Sequence, residues 1–175
     1  RQGLMGKNQW RQAIDAYDSV SEKSPLRVNA DIQIGLLLET MDKKDEATKL
    51  LTDLVKDHPN DAEAQTALGN LLRSRKDFTG AIDAYTKAIA LSKGPEKALW
   101  SRYYYRGIAY ERAKNWPPAE ADFKKALSLF PEQPLVLNYL GYSWVDKNMN
   151  LDEALGMIQR AVDLRLQIGY TRHQP

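Results

Sequence analysis

The feature that most constrains this chain is a spacing that recurs. Gly35 and Gly69 lie 34 apart, as do Gly107 and Gly141. An alanine series keeps step: Ala13, Ala47, Ala81, Ala119 and Ala154, at intervals of 34, 34, 38 and 35. Pro25 and Pro59 repeat the interval, with Pro131 further on. Three residue classes that share one period and one relative offset mark a chain built from copies of a single supersecondary unit, whose stacking buries a continuous core.

Within each unit the apolar residues follow a helical period. Ile34, Leu37, Leu38 and Met41 fall at i, i+3, i+4 and i+7, and Ala81, Ile82, Tyr85, Ala88 and Ile89 do the same in a second element. First elements carry Ile34-Gly35-x-x-Leu38, Leu68-Gly69-x-x-Leu72, Arg106-Gly107-x-x-Tyr110 and Leu140-Gly141-x-x-Trp144. Second elements carry Ala13-x3-Tyr17, Ala47-x3-Leu51, Ala81-x3-Tyr85, Ala119-x3-Phe123 and Ala154-x3-Ile158. Gly and Ala are expected where paired helices cross closely, because a larger residue there overpacks the contact. Breakers separate the elements: Asp42-Lys43-Lys44, Lys76-Asp77, Asn115-Trp116-Pro117-Pro118 and Lys147-Asn148. Such short connections make paired helices antiparallel neighbours. Helices are expected over 10–22, 27–41, 44–57, 61–75, 78–92, 96–114, 117–130, 133–147 and 151–165, with 1–7 as the tail of an earlier one.

These motifs resemble the tetratricopeptide repeat (TPR) family, whose pattern W-x2-L-G-x2-Y…A-x3-F…P recurs every ~34 residues. The resemblance covers almost the whole chain. It implies an all-α fold, a right-handed superhelical solenoid of antiparallel helix pairs. About four full repeats and a partial N-terminal one are expected as a single array over 1–175: 1–27 (partial), 28–61, 62–99, 100–133 and 134–167, then a 168–175 tail.

The departures from the period are informative. The step of 38 is a four-residue insertion at Ser92-Lys93-Gly94-Pro95, which predicts a helix stop at Gly94 and a following helix one turn longer than its siblings. The step of 35 puts one extra residue near Met149-Asn150. Lys93 and Leu166 stand where the repeat expects proline. The phase places Arg1 mid-repeat, and Gln167-Ile168-Gly169-Tyr170 resembles the start of another repeat, so a longer parent protein is expected. An uncapped last pair would expose an apolar face around Leu155, Ile158, Val162 and Leu166, through which copies could self-associate.

Composition narrows the function. Hydrophobic residues make up 43% and charged residues 27%, the net charge is +2, and Lys and Arg are dispersed among Asp and Glu. No concentrated basic face points to nucleic acid, and no apolar run approaches the roughly 20 residues of a membrane span. With no cysteine there is no thiol chemistry or cysteine-ligated metal. Of the two histidines, His58 precedes Pro59 at a helix end, where it complements the dipole. His173 lies in the tail. The acidic pairs Asp15/Asp18, Glu120/Asp122 and Asp152/Glu153 read as solvated residues near helix N-termini. No phosphate loop, nucleophile elbow or His-Glu-x-x-His occurs, so no enzyme activity, cofactor or metal is expected.

In the TPR family, first helices line a concave surface. Carried onto this chain, its positions are Asn29, Ile32, Leu36 and Glu39; Glu63, Thr66, Asn70 and Arg73; Ser101, Tyr104, Ile108 and Glu111; and Leu135, Asn138, Tyr142 and Val145. The resemblance implies a scaffold or adaptor that binds a protein or peptide segment there, with Tyr104 and Tyr142 as aromatic anchors. Packing between repeats is the competing reading for both tyrosines. The clamp by which some TPR domains hold a chaperone's C-terminal carboxylates is missing. Asn70 fits it, but Thr66, Leu135 and Tyr139 stand where it needs cations.

An architectural segment of a longer solenoid remains the alternative. RNA binding finds little support, because only Arg73 is basic among the groove positions. Asn138-Tyr139-Leu140-Gly141-Tyr142, Leu151-Asp152-Glu153-Ala154 and Gln159-Arg160-Ala161 also resemble exported bacterial TPR proteins, including lipoproteins that serve as adaptors for an envelope protease. That resemblance implies a bacterial, periplasmic or outer-membrane-associated setting, with the cytoplasm as the alternative.

Overall fold

The structure, a computed structural model, describes residues 6–172, with side chains to Gln167. Among these residues it is all-α. The helices are α1 (Lys7–Asp18), α2 (Arg27–Thr40), α3 (Lys44–Asp57), α4 (Ala62–Ser74), α5 (Phe78–Leu91), α6 (Trp100–Arg112), α7 (Trp116–Leu129), α8 (Pro134–Asp146) and α9 (Leu151–Arg172). A 3-10 turn, Glu96–Leu99, precedes α6. The chain forms two compact units, divided between Ser92 and Lys93. The first packs α1 on α2 and contains the pairs α2/α3 and α4/α5; the second contains the pairs α6/α7 and α8/α9. Each is a length of helical-repeat solenoid with its own core. Ile34, Leu38, Leu51, Leu54 and Leu71 centre the first, and Tyr104, Phe123, Val136, Leu140 and Trp144 the second.

One turn recurs between the two helices of every pair. In the first, Asp42 N–H donates to Glu39 C=O at 3.0 Å and Lys43 N–H to Leu38 C=O at 2.8 Å. This pair of hydrogen bonds to carbonyls of the last helical turn is the Schellman arrangement, and it needs a left-handed residue after the helix. Asp42, Lys76, Lys114 and Asn148 fill that place with φ between 54° and 63°. The extra residue of the last turn is taken up by Asn150, itself at φ 45°, whose carbonyl accepts from Ala154 N–H at 2.8 Å.

Each motif glycine faces a large side chain of the second helix, and Gly141 also meets the backbone carbonyl of Ala154, 3.0 Å from where a Cβ would stand. A Cβ would lie 3.2 Å from Leu51 if built at Gly35, 2.7 Å from Tyr85 at Gly69, 2.8 Å from Phe123 at Gly107 and 2.8 Å from Ile158 at Gly141. The absent side chain forms a notch in the first helix, and the residue four after the alanine fills it. Ala47, Ala81, Ala119 and Ala154 are fully buried one turn earlier on the second helix.

Four boundaries differ from expectation. Helix α1 ends at Asp18, not 22, because Arg27 anchors the chain leaving it. Its guanidinium donates to Asp18 C=O at 3.1 Å and Val20 C=O at 2.8 Å, and pairs with Asp18 and Asp31 at 3.0 and 2.8 Å. The insertion does not lengthen a helix. Gly94 adopts φ 108°, a value other residues rarely take, and the added turn is the separate 3-10 segment; α6 keeps 13 residues, like α4 and α8. Helix α9 continues to Arg172 instead of stopping at 165, and the 167–170 segment belongs to its backbone and starts no new helix. Leu166 replaces the proline that would have ended it. Lys7 belongs to α1; residues 1–5 of the expected tail lie outside the described residues, as does His173.

A candidate interface on the first helices

In the first unit, α2 and α4 present the proposed face. Asn29 and Glu63 are exposed, and so is Leu36; Ile32 is half-buried against the core. Four polar side chains there are engaged within the chain. Glu39 takes a two-pronged ion pair from Arg75, in which Nη1 reaches Oε1 and Nη2 lies 2.6 Å from Oε2. Arg75 also donates to Lys44 C=O at 3.2 Å. These hydrogen bonds hold the Glu39 carboxyl below its ordinary value. Thr66 donates to Ala62 C=O at 2.8 Å. The Tyr85 hydroxyl donates to Asn70 Oδ1 at 2.5 Å and accepts from Arg73 Nε at 3.1 Å.

In the second unit, the expected anchor Tyr104 is not an exposed groove residue. It is 7% exposed. Its ring packs on Trp100, Tyr105 and Phe123 and meets Tyr139 edge-on, with centroids 6.1 Å apart. The cause is Tyr139, whose bulk stands at the repeat position that Ala67 occupies in the first unit. Ser101 and Ile108 are half-buried, the latter against the core. Leu135, Tyr142 and Val145 are exposed, Tyr142 at 52%.

Between α6 and α8 lies a cavity of about 270 Å³, lined by Glu111, Asn138, Tyr139, Tyr142, Ser143 and Asp146. Tyr139 donates its hydroxyl to Glu111 Oε2 at 3.0 Å. Burial and that carboxylate push the phenol well above its ordinary value. Away from this face, a larger apolar cavity of about 560 Å³ is formed by Trp100, Leu129, Phe130 and Pro131 with the 3-10 turn.

Sequence reasoning places Asp122 on a solvated face; the structure buries it. Arg106 donates to its two carboxylate oxygens at 2.8 and 2.7 Å. Burial pushes Asp122 up and Arg106 opposes the shift. The guanidinium lies between the rings of Tyr103 and Tyr110, at 5.4 and 5.8 Å. A signal for this pair was present. Arg106 replaces the apolar residue before the motif glycine, and Asp122 follows it at the same spacing that separates Gly107 from Phe123. Glu120 is likewise not free, since it accepts Trp144 Nε1–H at 2.7 Å. On α9, Leu155, Val162 and Leu166 are exposed as expected, but Ile158 is half-buried because it fills the Gly141 notch.

His58 is exposed and caps α3. Among the described residues no three His, Asp or Glu side chains converge as a metal set, and no helix is long and apolar enough to cross a membrane.

Sequence profiles of the tetratricopeptide repeat match residues 32–96 and 100–133. The chain belongs to the tetratricopeptide-repeat family. TPR domains serve protein–protein interaction, and this chain is a scaffold of that kind. It is 28% identical over 121 residues to the general transcriptional corepressor ssn6 of Schizosaccharomyces pombe, covering 69% of this chain and 11% of that protein. It is 31% identical over 158 residues to superkiller complex protein 3 of Mus musculus, covering 87% of this chain and 10% of that protein. The TPR chain thus spans about a tenth of the length of these relatives. A crystal structure of MamA superposes with a TM-score of 0.75 at 24% identity, covering 94% of this chain and 93% of that one. At that identity the likeness is one of fold.

Proposed function

We propose that this TPR scaffold captures a peptide segment of another protein on its first-helix face and catalyses nothing. The carrying observation is the contrast between the first helices of the two units. Glu39, Thr66, Asn70 and Arg73 are bonded within the chain, whereas Tyr142, Leu135 and Val145 stand exposed, Tyr142 at the edge of a cavity. An exposed aromatic beside apolar neighbours and a cavity is the arrangement of an interface anchor. The name of superkiller complex protein 3, a component of a complex, is in keeping with this reading.

A photo-crosslinking amino acid at position 142 tests it, followed by identification of the protein attached. Joint Leu135→Ala and Tyr142→Ala substitution should reduce capture with helical content unchanged. Unaltered capture, with no protein cross-linked through position 142, rejects the reading.

An architectural role has one observation in its favour: Leu151, Leu155, Val162 and Leu166 leave an exposed apolar stripe along α9. Self-association through that stripe would make the light-scattering mass rise with concentration, and a mass constant over a wide range counts against it.

A further inference from the structure

We infer that the cavity between α6 and α8 takes the guanidinium of an arginine carried by the bound segment. The inference rests on the peptide-capture reading above and names the chemistry of the partner.

It comes from comparing the two units position by position. The shift along the chain that carries Gly35 onto Gly107 also carries Gly69 onto Gly141. The same shift carries Glu39 onto Glu111, Arg75 onto Lys147 and Lys44 onto Trp116. In the first unit, the carboxylate of Glu39 is satisfied by the fork of Arg75, which is also held by the Lys44 carbonyl. In the second, the cation at Arg75's place is drawn elsewhere. The Lys147 ammonium lies 4.9 Å over the ring of Trp116, the residue that replaces Lys44.

Glu111 is left with the phenol of Tyr139 on one oxygen and has no ion pair among the described residues. Asp146, where the first unit has Ser74, adds a second carboxylate to the same cavity. Tyr142 replaces Asn70 and sets an exposed ring beside them. Arg112, the residue after Glu111, is near enough for its charge to favour the ionised Tyr139 phenol, and it offsets part of the cavity's negative field.

The cavity therefore reproduces the acceptor that Arg75 fills in the first unit, without its arginine. A guanidinium fits better than an ammonium. Its planar fork can bond a carboxylate with two parallel N–H groups, and its face can stack on an aromatic ring. Asn138 supplies a further polar side chain in the cavity wall.

The probe is N-acetyl-arginine N-methylamide, titrated into the whole chain with backbone amide shifts read by NMR. The lysine and citrulline derivatives are the controls, citrulline having the same shape without the charge. The arginine compound should give saturable shifts at Asn138, Tyr142 and Asp146, with affinity at least roughly tenfold above citrulline. Glu111→Gln and Asp146→Asn, which keep side-chain size and therefore folding, should each weaken it several-fold. Equal binding of citrulline, equal binding of lysine, or shifts centred elsewhere would overturn the inference. A captured peptide indifferent to arginine-to-citrulline replacement leaves the capture reading standing and removes this one. Saturable arginine binding without any protein cross-linked at position 142 does the reverse.

Discussion

The ring of Tyr85 rests on the α-carbon of Gly69, and its hydroxyl passes beyond the glycine to bond both Asn70 and Arg73. One side chain thus closes the helix pair and fixes two residues of the proposed interface. Gly69→Ala would set a Cβ 2.7 Å from the ring. Alanine's better helix propensity recovers up to about 1 kcal/mol, and overpacking costs about 1–3 kcal/mol. Net destabilisation is expected in urea unfolding. Tyr85→Phe keeps the notch filled and loses the hydrogen bonds, at about 1 kcal/mol.

Gly156 is the contrasting case. It lies within α9, exposed, and a Cβ there meets nothing within 4 Å. Gly156→Ala should stabilise the chain by about 0.4–1 kcal/mol by narrowing the unfolded ensemble. The same unfolding assay reads both glycines, and opposite signs are expected.

The Arg106–Asp122 pair is buried, and removing one partner strands the other. Arg106→Leu should cost about 3–5 kcal/mol. Replacing Asp122 by Leu as well should restore part of that loss, because no charge is then left uncompensated. A double-mutant cycle measures the coupling; simple additivity would contradict the pair's role.

Acid should loosen the fold through Glu39 and Glu120. Hydrogen bonds from Arg75 hold the first, and the Trp144 indole holds the second, below their ordinary value of 4.5. A carboxyl with a lowered folded value contributes stability above its unfolded value, and that contribution disappears as pH falls through the folded one. Urea midpoints should therefore drop below about pH 4.5. Glu39→Gln should flatten part of that drop while lowering stability at neutral pH. Asp122, pushed up by burial, contributes with the opposite sign, so the single substitution at Glu39 gives the cleaner readout.

The helices were legible because their packing imposes residues with few alternatives. A notch requires glycine, a buried crossing alanine, and an end often proline. Gly35, Ala47 and Pro59 each announce themselves without knowledge of any partner. Tyr104 did not, because its burial depends on Tyr139, one repeat away, and helical periodicity carries no information about what a neighbouring repeat places opposite. The turns were partly hidden for another reason. Their left-handed residues are Asp42, Lys76, Lys114 and Asn148, held by hydrogen bonds without the usual glycine. The cavity was half visible. Glu111, Asn138 and Tyr142 follow from family positions, but Asp146 and Ser143 enter it only through the geometry of α8.

The notches also govern how such a chain tolerates change in length. Leu51, Tyr85 and Phe123 all follow their glycines at one spacing, and Ile158 follows Gly141 at a spacing one longer. The surplus residue did not slide Ile158 out of its notch. It was pushed outward into the junction, where Asn150 absorbs it. The helix pairs behave like ratchets with fixed teeth, and the junctions act as slack between them. Insertions in this array should accumulate at the junctions between helices, as those at 92–95 and near 149–150 do, and exposed junctions are the places to graft an epitope or a label without disturbing the scaffold.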